Sequence, residues 1–144
     1  MSVADILRKK GSGVTTVRPN ESAQAFARRL KTERIGAMVV TSADGSMAGI
    51  ISERDLAYGL ATHGTKLVNA TVSELMTKAV ITCSPTDSVS EIMKVMTQRR
   101  IRHLPVMDGH KLVGIVTIGD VLKHRLDEMQ LEANVLRDYA IARR

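Results

Sequence analysis

A chain of 144 residues with a formal charge of +6 is long enough for one ordinary domain with its own core. Its apolar runs all fall short of the roughly 20 residues that cross a bilayer, its opening Met-Ser-Val-Ala-Asp lacks the layout of a signal peptide, and Cys83 is the one cysteine. The expectation is therefore a soluble cytoplasmic protein without an internal disulfide. Phe26, Tyr58 and Tyr139 are its only Phe, Trp or Tyr residues, too few stacking platforms for a single-strand nucleic-acid binder. The basic residues are scattered except at Arg28-Arg29, Arg99-Arg100 and Arg143-Arg144, so nucleic acid is not the expected partner.

Ser2-Val-Ala-Asp5 before Ile6-Leu7 reads as a capped helix start: the hydroxyl accepts a backbone N–H and the acid sits near the positive helix end. A strand follows over Val14 to Val17, stopped by Pro19, which cannot donate to a ladder. From Ser22 to about Glu33 the residues Ala23, Phe26, Ala27 and Leu30 recur at steps of three and four, which is one stripe of an amphipathic helix. A hairpin is predicted next, Ala37 to Thr41 and Met47 to Ile51 around Ala43-Asp-Gly-Ser46. A second helix begins around Ser52-Glu-Arg-Asp55, and Gly64 to Ala70 reads as a linker.

The order then restarts. Thr71-Val-Ser-Glu74 repeats the capped start, Val80 to Cys83 the strand before Pro85, and Ser88 to about Arg99 the helix, with its stripe at Val89, Ile92, Met93 and Met96. Leu104 to Met107 and Leu112 to Val116 repeat the hairpin around Asp108-Gly109, and Thr117-Ile-Gly-Asp120 opens the last helix. Val14 to Pro19 matches Val80 to Pro85 at 66 residues' distance, as do Ser22 with Ser88 and Ile35 with Ile101. With one residue lost in a loop, Gly49-Ile-Ile-Ser-Glu-Arg-Asp55 matches Gly114-Ile-Val-Thr-Ile-Gly-Asp120. Each copy is about the size at which a lone core becomes marginal. The expected fold class is thus α/β, two tandem β-α-β-β-α repeats over 1–66 and 67–144 sharing one core.

The last helix, from about Asp120 to Ile141, overruns its counterpart. Leu122, Leu126, Met129, Ala133, Leu136 and Ala140 step by four and three, a heptad seam that packs either on the chain's own core or on a partner subunit. Met38, Met47, Met76, Met93, Met96, Met107 and Met129 read as core filler. His63, His103, His110 and His124 have no metal-ligand spacing, so no metal is expected. Cys83 has no recognisable base for nucleophilic work, and no GxGxxG or P-loop run occurs.

Leu75-Met-Thr77 leading into Val80-Ile-Thr82 and Pro85, then Ser88-Val89, Ile101-Arg-His-Leu-Pro-Val106 and Gly114-Ile-Val-Thr-Ile-Gly-Asp120, resemble the CBS domain, the module named after cystathionine β-synthase. Ile35-Gly-Ala-Met-Val-Val40 and Gly49 to Asp55 carry a weaker version, so the resemblance covers almost the whole chain. It implies a pseudo-two-fold pair that dimerises into a disc-like module, with two clefts between repeats for adenosine-containing ligands. AMP comes first among these, with ADP, ATP or NAD(H) beside it. It also implies a non-enzymatic regulatory role, signalling energy or redox state to a client enzyme or transporter. The rival reading is an interaction or dimerisation scaffold whose clefts are vestigial.

In Gly-x-x-(Ser/Thr)-x-x-Asp a strand ends as a helix begins, which puts the hydroxyl of Ser52 or Thr117 at a helix end suited to phosphate. Asp55 and Asp120 follow one turn on, where a carboxylate can accept from ribose hydroxyls. The resemblance implies Thr82, Cys83, Pro85, Arg102, His103, Leu104, Pro105, Thr117 and Asp120, with Arg54, around the second copy's ligand. Around the first it implies Thr16, Val17, Pro19, Ile35, Gly36, Ala37, Met38, Ser52 and Asp55. Backbone near Ala37–Met38 and His103–Leu104 would hold the adenine against apolar walls that include Ile101. Gly36 and Ala37 stand where Arg102 and His103 do, which removes two phosphate donors from the first copy, while a shared phosphate site could use Arg54, Arg102 and His103.

Overall fold

The structure, a computed structural model, describes residues 1–142, so the Arg143-Arg144 pair lies outside the described residues. The chain separates into two compact units: Gly13–Thr82, and Met1–Ser12 together with the chain from Cys83 onward.

In the unit Gly13–Thr82, β1 (Thr16–Val17) runs parallel to β2 (Ala37–Thr41), and β2 pairs antiparallel with β3 (Met47–Ser52). The hairpin between β2 and β3 turns at Gly45, whose φ of +86° is a conformation glycine adopts without strain. There Asp44 Oδ1 accepts from Ser46 N and Oγ, and these bonds hold its carboxyl below the ordinary carboxylate range. Helix α2 (Ala23–Glu33) starts at Ser22, whose hydroxyl accepts from Ala25 N at 3.1 Å. Its stripe Ala23, Phe26 and Leu30 is buried, and Phe26 and Leu30 join Val17, Met38, Val40, Ile51 and Val72 in one core. Helix α3 (Glu53–His63) leaves the end of β3, and the expected linker forms a 3-10 helix over Gly64–Asn69. Then α4 (Val72–Leu75), capped by Thr71, packs on α2 and α3, and Thr77 pairs with Ile50 through backbone bonds of 2.8 and 3.0 Å.

The other unit opens with α1 (Val3–Lys10), where Asp5 Oδ2 accepts from Ser2 N at 2.9 Å, while Asp5 N donates to the Ser2 carbonyl at 3.0 Å rather than to the expected hydroxyl. Helix α5 (Val89–Arg99) buries Val89, Ile92 and Met96 and is capped by Ser88. Then β4 (His103–Asp108) and β5 (Lys111–Thr117) form an antiparallel hairpin, and α6 (Ile118–Ala142) follows without a break.

The expected strand over Val80 to Cys83 is reduced to one parallel bridge, Cys83 with Val106, the counterpart of Val17 with Val40. Cys83 bonds Pro105 O at 3.0 Å and Met107 N at 2.8 Å. The next rung needs an N–H from residue 105, where the first copy has Val39, and a proline has none to give. The compact units also divide the chain differently from the sequence repeats 1–66 and 67–144, since α1 packs with β5 and α6 while α4 packs with α2 and α3.

Helix α6 touches its own unit through its first turns, where Val121 and His124 are buried, and its seam is exposed from Leu122 onward, Leu126 at 65%. Of the two readings of that seam, packing on the chain's own core is overturned, and Met129, exposed, is not core filler. Met38 and Met96 are buried as expected, and Met47, Met76, Met93 and Met107 are half-buried.

Candidate functional site

The Gly-x-x-(Ser/Thr)-x-x-Asp turn is built alike in both units. In the first, Ser52 ends β3 as the N-cap of α3, and Asp55 Oδ2 accepts from Ser52 N at 2.8 Å and from its hydroxyl at 3.2 Å. The opposite strand is tied in by Glu53 N donating to Gly36 O at 3.0 Å, and Ala37 is the register partner of Ser52. In the second, Asp120 Oδ2 accepts from Thr117 N at 2.9 Å while Asp120 N donates to Thr117 Oγ1 at 3.1 Å. Ile118 N donates to Arg102 O at 2.9 Å, and His103 is the register partner of Thr117. The pairing of β4 with β5 thus brings Arg102, His103, Thr117 and Asp120 to one turn, as β2 and β3 bring Gly36, Ala37, Ser52 and Asp55.

Neither aspartate is bare. Thr77 Oγ1 donates to Asp55 Oδ1 at 3.3 Å. Lys10 Nζ donates to Asp120 Oδ2 at 2.6 Å and to Ile115 O at 2.9 Å. Ile50 O, the matching carbonyl of the first unit, is taken by Thr77 N. A lysine ammonium therefore does in one unit what a threonine's backbone N–H and hydroxyl do in the other. Thr77 lies in a stretch that carries the CBS resemblance, whereas no local signal marks Lys10, which acts across 110 residues of chain.

The remaining expected residues fall around these turns or beneath them. Val17, Ala37, Met38, Cys83, Leu104 and Pro105 are buried. Thr16 is half-buried with its carbonyl taken by Arg29 Nη1 at 2.8 Å, Ile35, Pro19, Ile101 and Pro85 are half-buried, and Thr82 is exposed at the end of the first unit. Arg54 is exposed on α3 in the first unit, and Arg102 is exposed in the second. Burial, with the charge of Asp87 beside it, pushes the Cys83 thiol up to about 12, the opposite of an activated nucleophile. Among the described residues no three His, Cys, Asp or Glu side chains come together as metal ligands.

The CBS domain family model matches residues 3–62 and 72–127. The chain is 47% identical over 96 residues to an uncharacterized 33.4 kDa protein of Thermofilum pendens, a match that spans 66% of this chain and 31% of that protein's length. The crystal structure of a CBS-domain containing protein from Agrobacterium tumefaciens superposes with a TM-score of 0.84 at 43% identity, covering 86% of this chain and 92% of that one. The CBS domain pair of protein MJ0100, solved in complex with 5′-methylthioadenosine and S-adenosyl-L-methionine, matches at 29% identity and a TM-score of 0.78 over 89% of this chain and 98% of that one. Hypoxic Response Protein I, solved with two coordinated zinc ions, matches at 30% identity and a TM-score of 0.71 over 86% of this chain and 98% of that one. With the family matched in both halves, the chain belongs to the CBS domain family and carries a pair of such domains.

Proposed function

We propose that this chain is a non-enzymatic regulatory module that binds adenosine-containing ligands at its two strand-to-helix turns and passes their occupancy to a partner. The observation that carries this reading is the twice-built turn, in which a backbone N–H fixes a carboxylate at the start of a helix, Asp55 in one unit and Asp120 in the other. The ligands of protein MJ0100, both built on adenosine, support it. The carboxylate is suited to ribose hydroxyls, and the helix start with Ser52 or Thr117 to a phosphate. Arg102 and His103 add donors in the second unit, and Leu104, Pro105 and Cys83 would supply apolar wall there, as Val17, Ile35 and Met38 would in the first. AMP, ADP, ATP and NAD(H) are the ligands in view, in the cytoplasm, with a homodimer as the working form and an enzyme or transporter as the client. A ligand acts only by binding one conformation better than another.

Thermal unfolding with AMP, ADP, ATP, NAD, NADH and S-adenosylmethionine tests this, beside Asp55→Asn and Asp120→Asn. Asparagine keeps an oxygen for the backbone N–H, so the helix start survives while the charge is lost. A ligand at about a hundred times its dissociation constant stabilises the fold by about 2.7 kcal/mol, a shift of several degrees. A shift that Asp120→Asn or Asp55→Asn removes supports the reading, and no shift with any ligand ends it.

The second reading is an interaction scaffold, favoured by one observation: Leu122, Leu126, Met129 and Leu136 stand exposed along α6 at heptad spacing. A chain that unfolds at one temperature whatever nucleotide is present, yet assembles through α6, would be that scaffold.

A further inference from the structure

An ammonium has three N–H donors, and Lys10 has placed two, on Ile115 O and on Asp120 Oδ2. The third has no partner among the described residues, and neither has Asp120 Oδ1. The pair therefore presents one cationic donor and one carboxylate oxygen side by side at the start of α6, with its geometry held from the β5 backbone.

The matching turn carries a different charge. Around Asp55 the helix opens with Glu53-Arg54-Asp55, a net −1, and the donor that stands where Lys10 does is the neutral hydroxyl of Thr77. Around Asp120 the helix opens with Ile118-Gly119-Asp120, and Lys10 brings that turn to zero before Arg102, whose carbonyl holds Ile118 N, is counted. Gly36 stands in the place of Arg102 in the first unit. The two turns thus differ by at least one positive charge within hydrogen-bond reach of the aspartate, and charge near a ligand separates anionic from neutral ligands more than it changes affinity in general.

We propose that Lys10 is a specificity-determining residue of the second unit's turn: it selects adenosine ligands that carry phosphate on the ribose over those that carry a neutral or cationic group there. This rests on the adenosine reading above. In the bound state the third donor of Lys10 meets the phosphate while Asp120 Oδ1 takes a ribose hydroxyl, so the residue reads the substituent and the aspartate reads the sugar. The first unit's turn, without this cation, favours the uncharged or cationic class.

AMP and 5′-methylthioadenosine test it, since they differ at the 5′ position by a phosphate against a neutral methylthio group. Calorimetric titration is run on the full chain bearing Asp55→Asn, which silences the other turn, and on the same chain with Lys10→Met or Lys10→Arg. Lys10→Met is expected to weaken AMP about tenfold and to leave 5′-methylthioadenosine unchanged or tighter, while Lys10→Arg keeps the preference. An equal loss for both ligands would make Lys10 a support of the fold and overturn the proposal, as would no change for either. If wild-type chain binds but the Asp55→Asn chain does not, the ligand belongs to the other turn and Lys10 does not select it. If wild type binds neither ligand, the adenosine reading itself falls, and this proposal with it.

Discussion

A Cβ on Gly49 would stand 2.6 Å from the carbonyl oxygen of Thr77, so β3 passes that segment only because position 49 has no side chain. Gly114 is the matching position in β5, and there a Cβ would meet Leu7 Cδ2 at 2.8 Å. The two differ in what must move. Thr77 O belongs to a backbone paired with Ile50, whereas the tip of Leu7 can change rotamer. Gly49→Ala is expected to cost about 2–3 kcal/mol and Gly114→Ala about 1 kcal/mol, read by urea unfolding. Equal costs would mean that the backbone approach at Thr77 is not the constraint.

His124 is 4% exposed, and neither ring nitrogen makes a hydrogen bond among the described residues. Its Nε2 lies 3.2 Å from Glu128 Oε1, within ion-pair distance but without the alignment of a hydrogen bond. A buried polar group without a partner costs about 1–3 kcal/mol, so His124→Leu, which removes it at similar volume, is expected to raise stability by about 1 kcal/mol. Denaturant midpoints of the two chains check this, and a less stable leucine variant would show that the ring is satisfied in solution.

The raised pKa of Cys83 ties stability to alkaline pH. Its folded value, about 12 against 9.0 for the free group, favours the neutral thiol. That contribution is fully present below pH 9 and declines as pH rises from 9 toward 12. Cys83→Val, the residue at the matching Val17, is expected to lose less stability than wild type over that window. Below it, the folded thiol is expected to react with a disulfide reagent more slowly than a free thiol, since less of it is thiolate and it is buried.

A cut after Glu128 keeps the buried Val121 and His124 and removes the exposed Leu131, Leu136 and Ile141. The shortened chain is expected to unfold within a few degrees of the full one, because little of what it loses is buried. If a second copy covers the seam, light scattering will show the full chain as a dimer and the shortened one as a monomer. A cut after Lys123 would be a poorer probe, because it takes His124 out of the core.

Local structure and its repetition follow from the order of residues. Capping at Ser22 and Ser88, the stripes of α2 and α5 and the start of α3 at Ser52 rest on interactions within four residues, so the string of residues carries them. The constant spacing of the copies carried further: Val17 pairs with Val40 and Cys83 with Val106, both at the same separation. Even the loss of a rung beside Pro105 was written there, in a residue without an N–H.

Which surface each leading helix covers is set by long-range packing. The capped starts of α1 and α4 look alike in sequence, and an amphipathic stripe states that it must be buried without saying against what. The folded chain sets Leu7 against Gly114 and Met76 against Gly49, and in doing so carries Lys10 to Asp120 and Thr77 to Asp55. Those pairings span 110 and 22 residues, and no local propensity reaches so far, so the charge at each aspartate follows from packing.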